Sequence, residues 1–120
     1  MSIEEVIKKI IFIPTRLNDV KKVSAYSLLK ESGYFEIYDE INEALIMQIL
    51  KNFPKVLDDW LKWSENKRTS SGWYINKREN GKYEVSFFSF HQDFPSVEYS
   101  DIVEACSNFI KHELESIRQS

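Results

Sequence analysis

Apolar residues recur along this chain with the period of a helix over most of its length, and with the period of a strand in one short stretch. Ile3, Val6, Ile7 and Ile10 follow helical spacing, while Ile10 to Ile13 also reads as a short buried strand. Pro14 is expected to close either one. A second helix is expected over residues 18 to 32. Its stripe is Val20, Val23, Tyr26 or Ser27, Leu28 and Leu29, with Asn18 or Asp19 as its cap and Gly33 as its stop. The clearest pattern spans 36 to 53: Ile37, Ile41, Ala44, Leu45, Gln48 and Ile49 fall on one stripe, widened by Ile46, Met47 and Leu50. That width predicts a central helix, which Pro54 stops. A further helix is expected over 55 to 66, with Val56, Leu57, Trp60, Leu61 and Ser64 aligned and Trp63 beside them.

The period then changes to two. Thr69 to Gly72 reads as a loop, followed by a hairpin of residues 73 to 77 and 83 to 87. Asn80-Gly81 would ordinarily suggest a two-residue turn, but that register pairs Ile75 with Ser86 and Asn76 with Val85. A three-residue loop, Glu79-Asn80-Gly81 with Gly81 left-handed, instead pairs Trp73 with Phe87 and Ile75 with Val85. It gathers the large apolar groups on one face, and is the register expected. The other face, carrying Tyr74, Asn76, Glu84 and Ser86, is then polar. A third strand is expected within Phe88 to Phe94 or at Val97 to Tyr99. A last helix begins at Ser100 or Asp101 and runs to about Ile117, on a stripe of Ile102, Cys106, Phe109, Ile110, Glu113 or Leu114, and Ile117. The sum is a single α+β domain over 1–120: four to five helices packed against a small antiparallel sheet built on the 73–77/83–87 hairpin.

Composition narrows the function. The net charge of −3 argues against nucleic acid as the main partner. Aromatics at 14% leave some rings partly exposed, which favours a recognition surface. A lone cysteine makes no internal disulfide, the N-terminus lacks a signal-peptide pattern, and no apolar run reaches the ~18 residues that span a bilayer. A cytoplasmic location and no membrane partner are therefore expected.

Candidate chemistry is sparse. His91 and His112 fall in no metal-ligand frame and Cys106 has no Cys-x-x-Cys partner, so no metal or cofactor is expected. Cys106 and His112 lie six residues apart, about 120° around a helix, a poor geometry for a nucleophile and its base. Cys106 is expected in the core, His112 on a solvated helix face and His91 in a loop. The three widely spaced glycines form no phosphate-cradling loop. No catalytic set is expected. A small enzyme with an unrecognised site would use His91, Asp93, Arg68 and Ser70, at the hairpin ends.

Charge distribution says more. Residues 31 to 59 hold seven acids, Glu31, Glu36, Asp39, Glu40, Glu43, Asp58 and Asp59, against Lys51 and Lys55. Residues 62 to 82 hold six bases, Lys62, Lys67, Arg68, Lys77, Arg78 and Lys82, against Glu65 and Glu79, interleaved with Trp63, Trp73 and Tyr74. Two solvated faces would account for this pattern. An acidic helical face can also mimic nucleic-acid phosphates and plug the basic active site of a nuclease, and a basic, aromatic block can bind single-stranded nucleic acid, against which the net acidity of the chain weighs.

Trp60-Leu61-Lys62-Trp63, Lys67 to Ile75, Asn80 to Val85 and Ala105 to Ile110 resemble a pattern in small bacterial proteins. More loosely, they resemble the immunity proteins of bacterial toxin systems of the contact-dependent inhibition type. The resemblance covers residues 56 to 110, through a helix end, a hairpin and a helix face. Immunity proteins have many unrelated folds, so no functional residue carries over by position. The resemblance implies a protein partner, a toxin domain to be neutralised, rather than an enzyme. The residues expected to meet that partner are Glu36, Asp39, Glu40, Glu43, Asp58 and Asp59, with Trp63 and Tyr74, and also Tyr34 and Tyr38, as exposed aromatic anchors.

Overall fold

A computed structural model describes residues 2–19, 24–66, 72–88 and 96–119. The architecture is α+β, with seven α-helices and one three-stranded antiparallel sheet among the described residues, more helices than the four to five expected. Two of the expected helices are each divided.

The first division is at Phe12. Helix α1 (Ile3–Ile11) is capped by Ser2, whose hydroxyl accepts from Glu5 N at 3.2 Å, with Glu4 and Glu5 in its first turn and Lys8 and Lys9 in its last. Pro14 does not end the apolar run; it lies in the first turn of α2 (Ile13–Asp19), where a missing N–H costs nothing. Helix α3 (Ala25–Ser32) begins at its own cap, Ser24, rather than at Asn18 or Asp19, which end α2; Gly33 stops it in the left-handed region at φ 93°. Val20 and Val23 lie outside the described residues.

The second division breaks the 36–53 pattern into α4 (Tyr34–Ile37), a 3₁₀ turn (Tyr38–Glu40) and α5 (Glu43–Leu50). Asn42 is extended and its side chain accepts from Leu45 N at 2.9 Å, capping a new helix. Ile37, Ile41 and Leu45 keep the spacing of a continuous helix, but the break resets its rotation. Ala44 and Gln48 are consequently exposed, and α5 buries Ile46, Ile49 and Leu50. Helix α6 (Lys55–Asn66) is as expected, burying Val56, Leu57, Trp60 and Ser64.

Strands β1 (Gly72–Lys77) and β2 (Tyr83–Phe88) pair in the expected register, Trp73 with Phe87 and Ile75 with Val85. Arg78 N donates to Lys82 O at 2.8 Å, closing the three-residue loop with Gly81 at φ 84°. Strand β3 (Val97–Tyr99) joins the free side of β2. Helix α7 (Ile102–Gln119), rather than 36–53, is the hub: it touches α3, α5, α6 and all three strands. The face expected to be polar is not fully solvated, since Glu84 and Ser86 are buried. Tyr74 shares a hydrogen bond with Ser86 and donates to Glu84 Oε1 at 3.3 Å. Glu84 and Glu98 stand directly opposite, a like-charge pair that is unfavourable alone. Arg78 pairs with both carboxylates, reaching Glu98 at 3.6 Å.

Two buried polar contacts lock the layers. Ile11 ends α1, and its carbonyl accepts from Trp60 Nε1 at 3.0 Å. Ile75 points its backbone groups away from β2; Ser64 Oγ accepts from Ile75 N at 2.9 Å and donates to Ile75 O at 3.1 Å. Ser64 therefore closes an otherwise open sheet edge from the buried side of α6. No helix among the described residues is long and apolar enough to cross a membrane.

Candidate partner-binding face

The acidic residues divide between two places. Glu36, Asp39, Glu40, Glu43 and Asp58 are exposed and Asp59 is half-buried. Asp39 and Glu43 line one open hollow of about 580 Å³ between the start of α5 and the C-terminal half of α7, together with Tyr38, Ile41, Ala44, Lys111 and Glu115. Asp58 and Asp59 stand apart from it on α6, where Asp59 Oδ2 accepts from Thr15 Oγ1 at 2.5 Å. A second hollow of about 280 Å³ adjoins the first, sharing Glu43 and Ala44 and adding Met47, Glu104 and Ser107.

The wall of the larger hollow is a fixed polar relay. Tyr34, fully buried, donates to Glu115 Oε2 at 2.7 Å and accepts from Lys111 Nζ at 2.8 Å. Lys111 also donates to Tyr38 O at 2.9 Å. Arg118 donates to both Glu115 oxygens, at 2.9 and 3.2 Å, and lies 3.8 Å over the Tyr38 ring. Burial raises the Tyr34 pKa, assisted by its bond to Glu115. Burial also lowers the Lys111 pKa, opposed by the neighbouring carboxylates. For Glu115, burial pushes upward, but hydrogen bonds from Arg118 and Tyr34 and the nearby cations outweigh it and hold the pKa below its usual value. Glu43 sits just after the Asn42 cap, where a carboxylate suits the helix N-terminus, and accepts from Asn108 Nδ2 at 2.7 Å.

The aromatic anchors need correction. Tyr34 is buried, and Tyr38 is partly buried beneath Arg118. Trp63 is half-buried, 5.8 Å from the Trp60 ring, and Tyr74 belongs to the cross-strand cluster. None stands free on the surface, because each packs against core or sheet neighbours. The exposed large apolar side chains among the described residues are instead Tyr26, Phe88 and Val97. Of the stripe expected over 18 to 32, Leu28 and Leu29 are buried, whereas Tyr26 and its alternative Ser27 are both exposed.

The basic block is partly committed. Arg78 is held by Glu84 and Glu98, whereas Lys62, Lys77 and Lys82 are exposed. Trp73 stacks on His112 at 3.7 Å and 11°, so His112 is half-buried rather than solvated. Burial lowers its pKa against the pull of Glu43. Cys106 is fully buried and its thiol is pushed up to about 12 by burial, the behaviour of a core residue. Lys67, Arg68, Ser70, His91 and Asp93 lie outside the described residues.

No family model, no curated protein and no solved structure matches this chain. Among the described residues no group of three or more His, Cys, Asp or Glu side chains could hold a metal ion. The groove between α5 and α7 therefore stands on its own geometry: apolar floor, carboxylate rim, and cations held in the wall by internal hydrogen bonds. Chemically, it suits a cationic group carried on an apolar stem. Sequence periodicity gives Glu104, Lys111 and Glu115 no place in a site: they lie off the buried stripe of their helix, where Lys111 and Arg118 signal only cations suited to its C-terminal end.

Proposed function

We propose that this chain is a cytoplasmic immunity-type protein that binds one toxin domain and neutralises it by covering a basic surface or active site. The observation supporting this reading is the exposure of Glu36, Asp39, Glu40 and Glu43 on the short elements before and at the start of α5. Charge of one sign on an ordered surface steers a basic partner into contact and repels wrong ones. The half-buried aromatics pack inward, so in this reading charge rather than ring insertion directs the encounter. The test is co-expression with the toxic C-terminal domain of a large secreted protein encoded beside this chain. Cells making the chain are expected to survive induction of that domain, and cells without it to stop growing. Equal killing of both strains, or the absence of any such neighbouring reading frame, would overturn the proposal.

A further inference from the structure

We propose that the groove between α5 and α7 receives a segment of the partner carrying two basic side chains, one in each of its adjoining hollows. The inference rests on the protein-binding reading above and identifies the chemistry the partner must present. The two hollows share Glu43 and Ala44, so they adjoin across the start of α5. Ile41, Ala44 and Met47 contribute apolar lining, and Asp39, Glu43, Glu104 and Glu115 contribute carboxylates. A lysine or arginine side chain matches this composition, since its methylene stem covers apolar surface while its head meets carboxylates and water.

The cations already present direct their hydrogen bonds away from Asp39 and Glu104. Lys111 directs hydrogen bonds to Tyr34 and Tyr38, and Arg118 is engaged by Glu115 and the Tyr38 ring. Among the described residues, neither the Asp39 nor the Glu104 carboxylate accepts a hydrogen bond; Glu43 is held by the neutral Asn108 amide, and Asp39 and Glu43 also attract Lys111 electrostatically. An incoming basic group would therefore find one carboxylate without a hydrogen bond in each hollow, Asp39 in the first and Glu104 in the second, with Glu43 at their boundary. The charge repels a nucleic-acid strand, and the absence of a metal-ligating group among the described residues favours an organic cation over a metal ion. A second copy of this chain is the competing occupant, because Lys62, Lys77 and Lys82 are exposed.

The test is a titration of the full ¹⁵N-labelled chain with a capped hexapeptide carrying two arginines, followed by NMR at low salt. Saturable shifts are expected at residues 39, 43, 44, 47, 104, 107 and 111. The double variant Glu43→Gln/Glu104→Gln should weaken binding about tenfold, the scale of losing favourable charge contacts. Glu65→Gln, exposed on α6, should leave it within about twofold. Shifts spread evenly over all exposed acids, or equal affinity of the double variant, would overturn the proposal. So would concentration-dependent self-association, seen by sedimentation and abolished by the same double variant, which would assign the groove to a second copy. Toxin protection separates the two readings. If the wild-type chain protects cells but the peptide misses the groove, the immunity reading stands and this one falls. If the peptide binds as expected but the chain gives no protection, the immunity reading falls.

Discussion

At the junction of α6 and β1, polar groups are turned inward and satisfied. In the groove between α5 and α7, carboxylates are turned outward and left available. Ser64 is fully buried and serves both backbone groups of Ile75, and Trp60 gives its only polar hydrogen to the last carbonyl of α1. Asp39 and Glu104 instead face solvent with no hydrogen bond to their carboxylates, beside a wall whose cations hydrogen-bond to other groups. The difference teaches where to look for function in a chain with few reactive residues. Polar groups that complete the fold are spent on it, whereas exposed carboxylates around a hollow contribute little to folding and remain free to meet a partner.

The largest effect should come from the inward region. Trp60→Ala removes a buried ring packed edge-on against Phe109 and the bond to Ile11, and should cost about 3–5 kcal/mol in urea unfolding. Ser64→Ala strands two buried backbone groups at the sheet edge and should cost about 1–3 kcal/mol. Asn42→Ala removes the cap that divides α5 from the preceding turn and should cost about 1 kcal/mol. A loss as large as that of Trp60→Ala would mean that the break also sets the position of the groove.

A pH experiment sharpens the same contrast. Well above about pH 6.5, His112 is neutral in both the folded and the unfolded chain. As pH falls below that value, the unfolded chain takes up the proton first, because burial against Trp73 lowers the folded pKa. Stability is therefore lost as pH falls through this window, and His112→Gln should flatten that part of the urea-midpoint profile. An unchanged slope would contradict the buried stack. The smallest stability effect is expected in the outward region. Glu104→Gln alone should shift stability by no more than about 0.5 kcal/mol, as for exposed surface changes, whereas Glu43→Gln should cost about 1 kcal/mol because Glu43 holds Asn108 and the start of α5. A larger loss for Glu104→Gln would mean that this carboxylate too serves the fold.

Much of the architecture was legible because burial imposes a period. The hairpin register followed from gathering Trp73, Ile75, Val85 and Phe87 on one face, and the 55–66 helix from Val56, Leu57 and Trp60. The divided helices were not legible by period alone. Ile37, Ile41 and Leu45 keep helical spacing across a break made by the Asn42 cap, and Pro14 opens one helix rather than closing another. Of the candidate site, Asp39 and Glu43 were found from the charge block, but their partners in the groove come from a helix distant in sequence. Local composition carries no signal for that meeting. Nor could it show that Tyr34 is buried or that Arg78 is shared by two glutamates.

The most direct measurement is the association rate of this chain with the toxin domain across a range of salt concentrations, for the wild type and for Glu43→Gln/Glu104→Gln. The wild-type rate should fall steeply as salt rises, and the double variant should associate more slowly at low salt with a flatter dependence. Identical rates and identical salt slopes for the two chains would contradict a partner drawn in by these carboxylates.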